Sequence, residues 1–385
     1  WLLVSMAANL GVLAYFKYYD FFVSSGVELL AWFGVDASVP LLNVVLPVGI
    51  SFYTFQSMSY TIDIYRRAAS PANDFLHLAA YVAMFPQLVT GPIVRYSVLE
   101  QQLRTAPAVR TPVEQINEGI WLFSVGIAKK VWVADRVAPL ANELFDATGV
   151  VDGVTAWVGV LAYTIQLYYD FSGYSDMARG LGKMMGFEFP VNFDSPYKSA
   201  DIAEFWNRWH ITLSNWLRDY LFIPLGGSRC GFLRTLRNLV LTMFLGGLWH
   251  GAGWTFVCWG LFHGVLLVGN AIWKGRGCRL PRVAGVFATF MCVQLGWVLF
   301  RAPSMTRAVE IYQGLCGTGG TGTLQRFVEN PPLMLAVATV AVFVAPNSQQ
   351  LRMPKGVLPA VSLALFLIWT MTKFMQETPF LYFSF

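Results

Sequence analysis

Two histidines in this chain stand where an imidazole is least expected. His250 lies in Gly246-Gly247-Leu248-Trp249-His250-Gly251-Ala252-Gly253-Trp254, hemmed in by glycines and tryptophans between the apolar runs 239–245 and 255–268. His210 falls on a stripe with Trp206, Trp209, Leu213, Trp216, Leu217, Tyr220 and Leu221, which recur at helical spacing. A neutral imidazole can take a proton from a hydroxyl or return one to a leaving group near neutral pH, as acyl transfer requires. A lone histidine in a soluble protein is more often packed and hydrogen-bonded to a neighbour. At membrane depth, ionisable groups are costly and mark substrate or proton pathways. His77, near the start of an apolar run, and His263, inside a packed one, read as structural.

Other chemistries lack their residue patterns. Gly173-Tyr174-Ser175-Asp176-Met177 is missing the last glycine of a nucleophile elbow, and H-E-x-x-H, Walker A and strand-linked G-x-G-x-x-G patterns do not occur. Asn215 occupies the place where an H-x-x-x-x-D spacing from His210 would need an aspartate. Cys230, Cys258, Cys278, Cys292 and Cys316 form no C-x-x-C pair, so neither a disulfide framework nor a metal site is expected.

The elements that position these histidines must be membrane helices. Of 385 residues, 56% are hydrophobic and only 13% charged, where a soluble domain carries about 25% charge; the mean hydropathy is +0.51. The net charge of +5 comes from clusters at segment ends, a mark of membrane orientation and not of nucleic-acid binding. The expected fold class is an all-α polytopic membrane protein, one domain over 1–385. Candidate spans lie near 2–16, 40–62, 76–94, 117–134, 154–172, 237–249, 254–273, 283–300, 333–346 and 357–375. Pro47, Gly49, Pro86 and Gly91-Pro92 break the second and third, which suits re-entrant pieces. The sequence starts at Trp1, inside an apolar run, so further helices are expected before it.

Basic clusters at Arg66-Arg67, Lys129-Lys130, 229–237, 274–282 and 352–355 mark cytoplasmic loops by the positive-inside rule. If 229–237 and 274–282 share a side, the chain between them must enter and leave from that side, turning at Gly246–Gly253. The limb from Asn238 to Trp249 would rise roughly 18 Å and place His250 within the bilayer. Residues 166–237 read as a polar re-entrant or cytoplasmic-side core segment. Inside it an amphipathic helix over 201–221 is expected, capped by Asp201 with Glu204 three residues on and stopped by Pro224, Gly226 and Gly227. The Gly/Thr-rich 314–323 reads as an extramembrane loop.

The blocks "DFSGYSDMARGLGKMMGFEFPVNFDSPY", "ADIAEFWNRWHITLSNWLRDYLFIPLGGSR", "LGGLWHGAGWTFVCWGLFHG" and "PFLYFSF" resemble the bacterial branch of the membrane-bound O-acyltransferase family, nearest to its alginate O-acetylation members. The likeness runs from about Tyr53 to the C-terminus and is most specific over 170–264. It implies a multi-helix bundle with re-entrant pieces around a central tunnel, in the bacterial inner membrane, with His210 and His250 as the family's two histidines. It implies no bound cofactor and no metal. Acetyl-CoA on the cytoplasmic face would be the acyl donor, and the acetyl group would pass through periplasmic acetyltransferase partners to polysaccharide hydroxyls. On that reading His250 is the general base with His210 assisting or orienting, Trp249 walls the tunnel, and Asn207 and Asn215 either polarise the carbonyl or are plain helix-surface polarity. Tyr169, Asp170, Ser172 and Asp176 form a buried polar network supporting the cavity. Arg208, Arg218, Arg229 and Arg234 meet CoA phosphates or serve as positive-inside anchors. Alginate is the default glycan, with peptidoglycan and cellulose open. A D-alanyl homologue fed by a carrier-protein thioester is an alternative, as is a proton-coupled transporter, though no internal repeat is visible.

Overall fold

In the computed structural model, which describes residues 1–88, 91–105, 112–320 and 332–374, the described residues form helices and loops without a strand. Helices α1 (Leu2–Leu13) and α2 (Tyr19–Trp32) are joined through a π-helical turn at Ala14–Tyr18. Proline at 47 and a left-handed Gly49 (φ 78) delay the next helix, so the run expected over 40–62 is helical only as α3 (Ile50–Tyr65). The run at 76–94 divides into α4 (Phe75–Val82) and α5 (Phe85–Leu88), followed by α6 (Tyr96–Thr105). Helix α7 (Val113–Ala128) passes through a π-helical segment, Lys129–Ala134, into α8 (Asp135–Phe145) without a loop.

The spine of the fold is α9 (Gly153–Met184), a helix of 32 residues that rises roughly 48 Å. Asp152 starts it by accepting the Thr155 N–H. Two sequence expectations fail here for one reason. The polar stretch beginning at 166 continues this helix to Met184, and Lys129-Lys130 mark no loop, because the charges of the two stretches satisfy each other. Lys130 Nζ is 2.7 Å from Asp170 and 2.7 Å from Asp135, and Lys129 Nζ is 2.6 Å from Asp176. Ser348 Oγ completes the set at 2.9 Å from Asp176. Buried charges are tolerated when paired in this way.

Short helices α10 (Ile202–Arg208) and α11 (Ile211–Leu217) follow, the second running into a π-helical turn at Arg218–Phe222. Helices α12 (Phe232–His250), α13 (Trp254–Gly275) and α14 (Arg282–Arg301) come next. The latter two are long and apolar enough to cross a bilayer. Their contacts are antiparallel throughout: Met243 lies against Gly260 and Val240 against Gly264, while His263 meets Gly296 and Trp259 meets Phe300. The basic stretches 229–237 and 274–282 therefore do lie at one end of the hairpin. The limb is longer than expected, since Arg234 and Arg237 sit inside α12; its 19 residues carry His250 about 28 Å from that end instead of 18 Å. Helices α15 (Met305–Leu315), α16 (Leu333–Val344) and α17 (Val357–Phe374) complete the described chain. The loop expected at 314–323 is described to Gly320, whose carbonyl accepts the Gly153 N–H; "PFLYFSF" lies outside the described residues. The core gathers on α9 and is strongly aromatic, with Tyr163, Phe171, Phe205, Trp209, Trp259 and Trp297 among its buried side chains. All five cysteines are free thiols.

Candidate active site

Helix α12 ends at His250 because the next residues are extended, with Gly251 at φ −159 and Gly253 at φ −167. Any residue adopts that backbone, so bending is not what requires glycine here. A Cβ on Gly247 would collide with the Phe256 carbonyl and lie 3.1 Å from Gly260, and one on Gly251 would overlap the Phe256 ring. Gly247 thus lets α12 and α13 touch backbone to backbone. That contact seats the buried His250 ring edge-on among Trp249, Trp259 and Phe300, with centroids 5.0, 5.0 and 5.1 Å away.

His210 reaches the same place from another element. Its ring centroid is 6.4 Å from that of His250, 6.2 Å from Trp249 and 4.7 Å from Phe171, and the residue is 0% exposed. The single helix expected over 201–221 is broken at this residue, which sits in the left-handed region at φ 44, ψ 52 between α10 and α11. For a residue with a Cβ such a conformation costs on the order of 1–3 kcal/mol and survives only where surroundings impose it. Here the strand-like segment before α10 imposes it. Ile211 N–H donates to the Asn192 carbonyl, Thr212 N–H and Oγ1 donate to Asn192 Oδ1, and Asp194 N–H donates to the Arg208 carbonyl. The start of α10 is as expected, with Asp201 accepting from Ala203 and Glu204; Glu204 reaches back to the Ala200 N–H.

The turn also fixes the chemistry of the ring. His210 Nδ1 accepts the Leu213 N–H at 3.3 Å. An amide can only donate, so in the neutral ring Nδ1 is bare and the proton is on Nε2. That Nε2 is buried and has no hydrogen-bond partner among the described residues, and the same holds for the Trp249 indole N–H. The neutral His210 ring thereby presents Nε2–H as a donor.

A lysine absent from the sequence reading holds this arrangement in place. Lys17, on the π-helical turn between α1 and α2, points its Nζ at the Trp249 carbonyl (2.6 Å), the His250 carbonyl (3.2 Å) and Ser51 Oγ (3.1 Å), while Tyr18 Oη donates to the Leu248 carbonyl. The last carbonyls of a helix have no intrahelical partner and carry its negative dipole end, so a cation there is favourable. The signal available in sequence was a lone lysine among apolar residues at 10–22. Since Lys17 acts through the position of His250, Lys17→Met is expected to lower turnover about tenfold or more with KM changed little, and Lys17→Arg to restore part of it. Steady-state kinetics on the two variants checks this; an unchanged kcat in Lys17→Met refutes the positioning role.

The other expected site residues scatter. Asn207 is exposed on α10 and Asn215 is half-buried on α11, its carbonyl taken by Arg95; neither is brought to the histidine pair. Asp170 and Asp176 belong to the ion pairs of α9, Ser172 is buried beside them, and Tyr169 packs against Tyr168. Arg208 is paired with Asp194 and Glu204, and Arg218 with Asp219. Arg229 and Arg234 are exposed at the start of α12 and form no ion pair among the described residues. His77 stands apart against Tyr96. His263 comes nearer than expected, its ring 5.0 Å from the Trp259 ring that also flanks His250, and neither of its nitrogens has a hydrogen-bond partner among the described residues.

Comparison with known proteins bears on this geometry. The sequence pattern of the membrane-bound O-acyltransferase family matches residues 65–276, a stretch that contains both histidines. The chain is 47% identical over 323 residues to the "Probable alginate O-acetylase AlgI" of Pseudomonas aeruginosa, covering 83% of this chain and 61% of the relative. It is 38% identical over 348 residues to the "Peptidoglycan O-acetyltransferase" of Helicobacter pylori (83% and 65%), and 28% identical over 301 residues to the "Teichoic acid D-alanyltransferase" of Streptococcus thermophilus (69% and 70%). The chain spans 61 to 65% of the length of the first three alginate O-acetylase relatives it matches.

Proposed function

The chain belongs to the membrane-bound O-acyltransferase family, and from that premise we propose that it moves an acetyl group from acetyl-CoA to a hydroxyl for the O-acetylation of an exopolysaccharide, alginate by default. The observation that carries the proposal is the imidazole pair, with His210 held as a donor 6.4 Å from His250 inside an aromatic enclosure. His250 takes the proton of the attacking hydroxyl as its oxygen bonds to the thioester carbon. On this reading His210 Nε2–H and the Trp249 N–H, both buried without a hydrogen-bond partner among the described residues, donate to the carbonyl oxygen as it gains charge. The C–S bond then breaks, and the proton passes from His250 to the departing thiolate, giving CoA and an acetate ester.

The spacing of charge suits a long donor. Arg234 lies 16 residues before His250 on α12, roughly 24 Å along the axis, so phosphates at the basic end and a thioester at the histidines need a flexible arm between them. On this reading the basic end is cytoplasmic, the protein is a multi-pass component of the bacterial inner membrane, and the acetyl group leaves through a tunnel toward periplasmic acetyltransferase partners. Identities of 38 to 47% to acetylating relatives, against 28% to D-alanylating ones, favour acetyl-CoA over a carrier-protein thioester.

The test is thiol release from labelled acetyl-CoA by the full-length protein in lipid nanodiscs. Release above hydrolysis is expected only when its partner acetyltransferases and an alginate oligosaccharide are present. Release from a D-alanyl carrier-protein thioester alone would move the chain to that branch, and release from neither donor would end the acyltransferase reading.

A further inference from the structure

One groove among the described residues is lined by neither histidine. At the basic end of the α13–α14 hairpin a recess of about 1090 Å³ opens outward, floored by Ala200–Ile202 and walled by the two helices. Its rim is apolar where it faces outward, with Val265, Trp273 and Leu280 exposed to 63%, 49% and 52%. It is deep because the wall residues are small. Gly269, Ala288 and Cys292 line it with little bulk, and a Cβ on Gly269 would meet nothing within 4 Å, while Gly285 lets α14 close onto Ala200.

The charges at its mouth are not balanced. Lys274 is neutralised by Asp201 at 2.8 Å, and Arg282 lies 3.8 Å from Glu204. Arg276 and Arg279 form no ion pair among the described residues, and Arg279 lines the recess itself. An outward-opening apolar slot beneath unpaired guanidinium groups, at the end of two bilayer-length helices, is complementary to one kind of molecule. We propose that this groove holds an acyl chain of an anionic phospholipid whose headgroup phosphate lies against Arg276 and Arg279.

The site would have a consequence for the rest of the protein. Its floor includes Asp201, the cap of α10, and α10 leads directly into the strained turn at His210. A lipid seated there braces the segment that carries the second histidine. The binding claim itself does not rest on the acyl-transfer reading, because it is read out without any turnover.

The experiment uses full-length protein extracted from nanodiscs of phosphatidylcholine with a minor share of phosphatidylglycerol, with retained lipid counted by native mass spectrometry. One phosphatidylglycerol is expected to stay bound in preference to phosphatidylcholine. Arg276→Gln with Arg279→Gln should weaken that retention about thirtyfold, from roughly 1 kcal/mol per cation near an anionic headgroup. Ala288→Trp, which fills the slot and leaves the charges intact, should displace the lipid while the thermal melt shows a folded protein. Equal retention of the two lipids, or retention unaffected by both changes, overturns the proposal. Release of phosphatidylglycerol by added acetyl-CoA would overturn it too, assigning the groove to the acyl donor.

Discussion

Replacing His250 with alanine is expected to lower acyl transfer by about 10²- to 10⁴-fold, the range over which a positioned general base contributes. The loss should fall on kcat with little change in KM for acetyl-CoA, because the proton moves only in the transition state. Alanine also opens space among Trp249, Trp259 and Phe300, which flank the ring at 5.0 to 5.1 Å, so a drop in activity could come from a loosened hairpin. His250→Phe separates the two causes: it refills the aromatic enclosure without a titratable nitrogen and should be as inactive as alanine while melting near the wild type. Turnover within a few-fold of wild type in the phenylalanine variant sinks the assignment of His250 as base.

What sequence reveals about this site and what it conceals follow from the range of the interactions concerned. The turn after His250 was legible because its signals are local: a glycine cluster at 246, 247, 251 and 253 between two apolar runs, with basic stretches on either side of the hairpin. The cap of α10 was legible for the same reason, since Asp201 and Glu204 act within one turn. The second half of α9 was hidden because Asp170 and Asp176 look like a break until Lys130 and Lys129 arrive from the π-helical segment after α7. One long-range pairing thus produced two errors, a helix cut short and a loop placed where none exists. The sequence periodicity that put His210 on an apolar stripe could not show the turn there, because Asn192 imposes it from 18 residues away. Lys17 was hidden for the same reason, its partners lying 232 and 233 residues on.

That turn at His210 allows its two possible roles to be separated by one substitution. Asparagine tolerates the left-handed region better than any residue with a Cβ apart from its close relatives. Its side-chain oxygen can take over the Leu213 N–H that His210 Nδ1 now accepts. His210→Asn should therefore keep α10, α11 and their anchoring to Asn192, and the melting temperature should move little. What it removes is the Nε2–H donor, and loss of one such donor to a developing oxyanion costs about 10²- to 10³-fold in kcat. His210→Gly, which meets the backbone requirement without any side chain, should lose activity to the same degree. If instead the asparagine variant turns over within a few-fold of wild type while glycine does not, the capping bond is what matters. His210 would then hold the loop, and the carbonyl would have to be polarised by another group, with the Trp249 and Trp259 N–H groups as buried donors beside His250. If both variants stay active, neither bond matters to turnover, and the imidazole pair no longer supports a two-histidine mechanism.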